Sequence, residues 1–314
     1  MGGSSLDIRA ISHSANDGNH VGKSHLPNHI FIYKRGVEAM QKLKAGFIGF
    51  MPFTAKGEEF YDYLREYAGI GYKGFENGGA LFREGSVEEN LARVKSYGIE
   101  PIDIGLMSFP GRPEPGMDEI IRQANQIGVR RVVAFNNLAS MYRFGGRPEP
   151  ASYDEVMREI EDFEKKATIL KAEGIDFMYH NHDIEFTQCY RGVPHLQLIA
   201  ANTENLTFEL DCGWAAYAGA DPVALIRQLG KRISALHIKD YIDKTVQYRG
   251  MPNVMAPQFT TVGTGKLDLC GCLKAGAEED IEWAIVEQDF PNILQNKEIL
   301  TAAYLNMKET GYVE

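Results

Sequence analysis

Eight short apolar segments, each followed by an amphipathic stretch, constrain the fold of this chain more than any other feature. They run AGFIGF (45–50), YKGFE (72–76), PIDIGLM (101–107), RVVAF (131–135), IDFMYH (175–180), LTFEL (206–210), ISALHI (233–238) and WAIVE (283–287). Each has the length of a strand buried on both faces. Between them lie stretches with helical spacing, among them EEFYDYLREYAG, SVEENLARVKSYG, MDEIIRQANQIG, YDEVMREIEDFEKKATILKAEG and DPVALIRQLG. Most of these close on a glycine, as a helix C-terminus favours. Eight such βα units predict an α/β fold, a closed (β/α)₈ TIM barrel over residues 45–314, rather than an open doubly wound sheet. The segment GFIGFMPFT offers no G-x-G-x-x-G turn, which agrees with that choice.

Residues 1–44 have a different character. They are rich in Gly, Ser, Asn and His and keep no sustained period, so they read as an N-terminal extension, loosely ordered or docked, with a short helix over 37–43. His13, His20, His25 and His29 stand there at irregular spacing in a polar tract, the pattern of solvated side chains. A chain of 314 residues is within the range of a single barrel domain.

Charge and composition argue against several classes of partner. The net charge of −10 argues against nucleic acid, whose binding depends on Lys and Arg neutralising phosphates. There is no apolar run of membrane-spanning length. Four cysteines make a poor disulfide framework, and the first residues lack the order of a secretory signal, so a cytoplasmic location is expected. Cys270 and Cys272 form a C-x-C pair with no second Cys/His pair at zinc-finger spacing, and they read as ordinary thiols near a helix start.

Several of the apolar segments stop on side chains that bind metals. His180 and His182 follow FMY, and alternation turns both to one side. Asp211 closes LTFEL, His237 lies within SALHIKD, and Glu287 lies within WAIVEQD. In a parallel barrel the C-terminal strand ends share one face, so these distant residues become neighbours. Ionised Asp and Glu buried together repel, and a divalent cation holds them. The mixture of imidazole and carboxylate suits Mn²⁺, Zn²⁺, Co²⁺ or Fe²⁺ better than Ca²⁺ or Mg²⁺. Lys239, two residues beyond His237, faces the same side and is a candidate substrate contact, as is Glu76 at the end of the second segment. Trp214 offers an apolar wall for a substrate, with Phe53 and Phe109 as weaker versions of the same idea. Arg143 and Arg147, in RFGGRPEP, are candidates for an anionic group. About 30 residues after His237, including QYRGMPNVMAPQFTTVGTGKLDL, have little helical character and are expected to form a lid, a substrate wall or an ordered insertion.

The blocks YHNHDIEF (179–186), LDCGWAAYAGADP (210–222), LHIKDY (236–241), VGTGKLD (262–268) and WAIVEQD (283–289) resemble those of the sugar phosphate isomerase/epimerase family of the xylose-isomerase-like TIM barrels, a group that includes endonuclease IV. The resemblance covers roughly residues 45–312. It implies one divalent metal, Mn²⁺ foremost, held by Asp211, His237 and Glu287 in the places of the family's Asp, His and final Glu. At the family's first ligand position, a Glu on strand five, this chain departs: it offers His180, then His182, with Glu185 as the outside choice. The resemblance further implies a carbohydrate substrate and an isomerase or epimerase that works through an enediolate, with Glu287 and His180 or His182 as the acid/base pair. An imidazole in place of one glutamate makes that pair asymmetric, which brings in a lyase that cleaves a 3-keto glycoside by β-elimination as the alternative. A carbohydrate-binding barrel without catalysis is a reading of another class, and the retained Asp, His and Glu argue against it. An endonuclease IV-like nuclease would need a basic groove, which the acidic composition opposes. A homo-oligomer is compatible with all of these features.

Overall fold

The computed structural model describes residues 40–314 except 53, 107–113, 136, 249–250, 252 and 290–293. Each apolar segment supplies a strand: β1 (Lys44–Phe47), β2 (Gly74–Phe75), β3 (Glu100–Pro101 and Ile104–Leu106), β4 (Arg131–Ala134), β5 (Asp176–His180), β6 (Thr207–Asp211), β7 (Ile233–Ile238) and β8 (Trp283–Val286). β3 is interrupted at Ile102 and Asp103, so its first half pairs with β2 and its second half with β4. All neighbouring pairs are parallel, β8 pairs back onto β1, and the two halves of β3 close the circuit into a barrel.

Side-chain volume explains how the barrel interior closes. Ile102, Val133, Met178, Ala235, Trp283 and Ile285 form one buried cluster inside it. Trp283 and Ile102 need space that β1 and β2 provide with glycines. A Cβ on Gly46 would lie 2.5 Å from Ile102 Cδ1, and one on Gly74 would lie 2.6 Å from Trp283 Cζ3. Opposite the C-terminal strand ends, Arg131 donates to Glu282 and Ser234, and Lys44 also pairs with Glu282, so the charges at that end are matched.

Each strand is followed by an outer helix: α1 (Gly57–Ile70), α2 (Val87–Ser96), α3 (Met117–Ile127), α4 (Tyr153–Ala172), α5 (His195–Asn202), α6 (Pro222–Leu229), α7 (Leu269–Glu278) and α8 (Asn296–Glu309). Their boundaries follow from local chemistry. Ser152 and Glu155 form a reciprocal capping box at α4, and Asp221 caps α6 with Pro222 at its first position. In α1 the apolar spacing buries Phe60, Tyr61, Leu64 and Tyr67 while Glu58 and Glu59 occupy the first turn.

One sequence expectation is corrected and another is made specific. Among residues 40–43 there is no helix, and Leu43 forms a bridge with Val313 instead; the rest of the expected helix, and residues 1–39 of the extension, lie outside the described residues. The long connection after β7 is non-helical and supplies a wall of the cavity through Tyr248, as expected, but it does so as an ordered antiparallel ribbon, Asp240–Gln247 against Met255–Thr260. Asp240 anchors it: its buried carboxylate accepts from the backbone N–H groups of Tyr241, Gly263, Gly265 and Leu267. The blocks LHIKDY and VGTGKLD thus meet through one side chain that holds the loop.

The loop after β4 carries a testable titration. Glu159 on α4 accepts from the Leu138 N–H at 2.7 Å, and burial pushes its carboxyl up to about 7. The native state therefore binds more protons than the unfolded chain between the ordinary carboxylate range and pH 7. Stability should fall as pH rises through that window and level off above it. Glu159→Gln keeps the acceptor and removes the charge. The variant is expected to be more stable than wild type by roughly 2 kcal/mol at pH 8, with no difference near pH 4. Urea unfolding at several pH values measures this, and parallel curves for the two proteins would refute it.

Candidate metal centre and active site

Four successive strands end in pairs of polar residues two positions apart, which alternation aims at the same face: His180 and His182, Glu209 and Asp211, His237 and Lys239, Glu287 and Asp289. The first member of each pair lies at or near the strand end. Ligand atoms of His180, Asp211, His237 and Glu287 all lie within 4.8 Å of one another.

Local hydrogen bonds fix each of these side chains. Asp211 caps the short helix Cys212–Tyr217, with Oδ1 accepting from the Trp214 N–H at 2.8 Å. Its Oδ2 is buried and has no hydrogen-bond partner among the described residues, and the Lys239 ammonium lies 3.4 Å away. Asn181 bonds both the N–H and the carbonyl of Asp211 through its amide, which locks the end of β5 to the end of β6. Gly213 is required for close approach. A Cβ there would lie 2.1 Å from the Lys239 carbonyl oxygen, a backbone atom that cannot rotate away. Gly213→Ala is expected to cost about 1–3 kcal/mol in urea unfolding at unchanged m value. A change below about 0.5 kcal/mol would show that β7 shifts freely.

The electrostatics separate the groups into clear protonation states. Lys239 is buried, which opposes its charge, yet Asp289 at 2.8 Å, Glu287 at 2.9 Å and Asp211 hold its ammonium well above the ordinary lysine range. Burial also opposes the charge on Glu287, but Lys239 and His237 keep its carboxylate well below the ordinary range. Burial, with the nearby charge of Lys239, holds His182 well below the ordinary histidine range, so its ring is neutral near pH 7. His182 Nδ1 is buried without a partner among the described residues.

Behind this face sits a second polar group. His237 Nε2 lies 3.0 Å from Glu76 Oε2 and 3.2 Å from Glu209 Oε2, while His237 Nδ1 lies 3.1 Å from Glu287 Oε2. Glu76, Glu209 and His237 have ligand atoms within 4.8 Å of one another as well. Burial opposes charge on all three, and the mutual attraction of Glu209 and His237 decides the outcome: the Glu209 carboxyl is held down and the His237 ring is held well above its ordinary range. Burial and the Glu209 charge push Glu76 well up, and they push Asp103 up to about 6.

A cavity of about 440 Å³ opens above the site, lined by His180, His182, Lys239, Glu287, Asp289 and a wall that includes Phe135, Phe144 and Tyr248. That volume lies in the range of small-molecule sites.

The structure brings His180, His182, Asp211, His237, Lys239 and Glu287 together, as the strand-end pattern anticipates. Three other candidates are placed elsewhere. Glu76 backs His237 and does not line the main cavity, because its side chain is wholly buried. Glu185 is buried, accepting from the Tyr179 hydroxyl and the His182 N–H, so it braces the loop after β5 instead of joining the four donors. Trp214 is fully buried under the ribbon, edge-on to Phe259 and His182, and presents no face to a sugar. Arg143 pairs with Asp183 and donates to the Met255 carbonyl, clamping the ribbon, and Arg147 pairs with Glu155. Phe53 and Phe109 lie outside the described residues. Cys270 is exposed and Cys272 is buried, as expected of ordinary thiols. Sequence reasoning missed Glu209 and Asp289, although the two-residue alternation that pairs His180 with His182 applies equally to them.

The model of the xylose isomerase-like TIM barrel family matches residues 62–304. Among curated relatives, an inosose dehydratase of Clostridium botulinum (strain Alaska E43 / Type E3) is 28% identical over 37% of this chain and 41% of its own. This chain therefore aligns with less than half of that relative's length. The rhizopine catabolism protein MocC of Rhizobium meliloti is 26% identical over 72% of this chain and 73% of its own. Among solved structures, a sugar phosphate isomerase/epimerase from Parabacteroides distasonis superposes with a TM-score of 0.62 at 20% identity, covering 85% of this chain and 97% of that one. The IOLI protein with a binding zinc atom superposes with a TM-score of 0.60 at 19% identity, covering 86% of this chain and 98% of that one. No helix among the described residues is long and apolar enough to cross a membrane.

Proposed function

Because the chain belongs to the xylose isomerase-like TIM barrel family, we propose that it is a divalent-metal-dependent isomerase or epimerase of a sugar or keto-sugar. The observation that carries this reading is the convergence of His180, Asp211, His237 and Glu287 from four successive strands onto one point below the cavity. The donor set fits a metal. It combines two imidazoles with two carboxylates, and the buried Asp211 Oδ2 has no hydrogen-bond partner among the described residues. Such a set suits Mn²⁺, Zn²⁺, Co²⁺ or Fe²⁺, and the family resemblance puts Mn²⁺ foremost among them. A divalent cation there would supply positive charge for the oxygen that becomes anionic when a neighbouring proton leaves.

The residues divide the remaining work. Glu287, held ionised by Lys239 and His237, is a base ready at neutral pH. His182, held neutral by burial, is a second base in the same cavity. One of them removes the proton from the carbon beside the carbonyl and the electron pair moves to the carbonyl oxygen; the same group, now protonated, returns the proton to the neighbouring carbon, or the other returns a proton it has taken from solvent to the opposite face. The Lys239 ammonium, already charged, stabilises negative charge on the substrate. His180 then acts as a ligand, which leaves His182 as the imidazole of the acid/base pair.

A second reading rests on the unlike chemistry of that pair. Whichever of the two takes the proton beside the carbonyl, His182 becoming an imidazolium or Glu287 a carboxylic acid, can hand that proton to a leaving group on the β-carbon, which is elimination from a 3-keto glycoside or of water. The name of the dehydratase relative supports this outcome. Incubation with keto-sugars and keto-polyols in D₂O separates the readings. Deuterium wash-in with an isomeric product supports isomerisation or epimerisation. Loss of a leaving group with the ultraviolet absorbance of an unsaturated ketone supports the lyase. Absence of both, with sugar binding retained, leaves only the non-catalytic barrel. Elemental analysis should find about one Mn, Zn, Co or Fe per chain.

A further inference from the structure

The two imidazoles of the metal centre share one acceptor. Glu209 Oε2 lies 2.9 Å from His180 Nδ1 and 3.2 Å from His237 Nε2, and the Glu209 carboxylate is completely buried. A carboxylate oxygen only accepts, so each of these ring nitrogens carries the hydrogen that points at it. The nitrogen left over is His180 Nε2, whereas His237 Nδ1 also faces a carboxylate, Glu287 Oε2 at 3.1 Å, and donates to it in the metal-free protein. A metal-binding imidazole needs its other N–H held by an acceptor that fixes ring and tautomer.

On the metal-centre reading above, we propose that Glu209 is a positioning residue that sets the tautomer of His180 while holding the Nε2–H of His237, and that it makes position 180 fit for histidine and unfit for a carboxylate. Glu209 reaches the site from one layer deeper in the barrel, because it precedes Asp211 by two residues on β6 and faces the same way. Its register partner across the sheet is His180 itself, which places the acceptor beside the ring. Glu76 assists on one ring only, with Oε2 3.0 Å from His237 Nε2. A glutamate at position 180 would set a second anion against Glu209 in a place without water, and the hydrogen bond from His180 Nδ1 would be gone. The identity of residue 180 is thus coupled to the charge of residue 209.

Two measurements test this, and the first needs no metal. Nitrogen-15 histidine spectra of the metal-free protein report which ring nitrogen carries hydrogen. His180 should be the Nδ1–H form in wild type and lose that preference in Glu209→Gln. An Nε2–H form of His180 in wild type would overturn the proposal.

The second measurement is calorimetric titration of the metal-free full chain with MnCl₂. Glu209→Gln should weaken Mn²⁺ binding about 10- to 100-fold at unchanged stoichiometry. His180→Glu should weaken it further, and the double variant His180→Glu/Glu209→Gln should bind at least about tenfold more tightly than His180→Glu alone. Strictly additive losses in the double variant would overturn the coupling. Loss of one of two bound ions in Glu209→Gln would show that Glu76, Glu209 and His237 hold a second cation, and would overturn the positioning role. If wild type binds no Mn²⁺ while the spectra show the Nδ1–H form, the metal-centre reading fails and the tautomer assignment stands.

Discussion

Glu287→Gln is expected to reduce kcat by about 10³-fold or more with a much smaller change in KM, in whichever of the two reactions the protein performs. Glutamine matches the side chain in size and keeps one coordinating oxygen, but it takes no proton. The native carboxylate is suited to do so: it stays ionised against burial because Lys239 lies 2.9 Å from Oε2 and His237 Nδ1 lies 3.1 Å from the same oxygen. The substitution leaves Lys239 paired with Asp289 and Asp211, so the pocket should keep its shape and its ammonium. Deuterium exchange adds a second readout. If Glu287 takes the first proton, wash-in and product formation fall together. If it only returns the second, wash-in survives while product is lost. A variant whose kcat stays within tenfold of wild type would remove Glu287 from the chemistry.

Much of this arrangement was legible in the sequence because two periods were legible. Short apolar runs of strand length gave all eight barrel strands, with boundaries shifted by only a few residues, since a strand buried on both faces has few polar positions to obscure it. The strand-end donors were legible for a related reason: a titratable side chain at the end of an apolar run has no bland surface role to hide in. What escaped notice had the same chemistry in a less conspicuous setting. Glu209 sits inside LTFEL, where an acidic residue in a buried strand reads as an outward-facing exception until the closed sheet turns it to the axis. Asp289 follows Glu287 in a segment whose polar character looks like the start of a loop. Glu76, Glu185 and Trp214 were legible as residues near the site but not in their roles, because alternation gives the side of a strand and not the depth at which a side chain ends. The ribbon after β7 was hidden by its mixed composition. It depends on Asp240 collecting four backbone N–H groups, an arrangement that no local period announces.

Asp211→Asn separates metal binding from folding, and its expected effect is the loss of all stabilisation by Mn²⁺. A ligand that binds only the native state stabilises it by about 2.7 kcal/mol at a hundred times its dissociation constant. Wild-type protein should show a shift of that size in urea unfolding between EDTA and saturating MnCl₂. The two oxygens of Asp211 have different tasks, which makes the substitution informative. Oδ1 caps the short helix through the Trp214 N–H, and an asparagine oxygen can keep that bond. Oδ2 has no hydrogen-bond partner among the described residues and lies within the four-donor group, so its replacement by NH₂ removes a ligand and a negative charge. Stability in EDTA should therefore stay within about 1 kcal/mol of wild type, because the cap survives and Lys239 keeps Glu287 and Asp289. The Mn²⁺-dependent shift should vanish. If Asp211→Asn keeps that shift, Asp211 is a helix cap and not a ligand. If the variant is equally destabilised with and without metal, the lost charge matters to the fold through Lys239 instead.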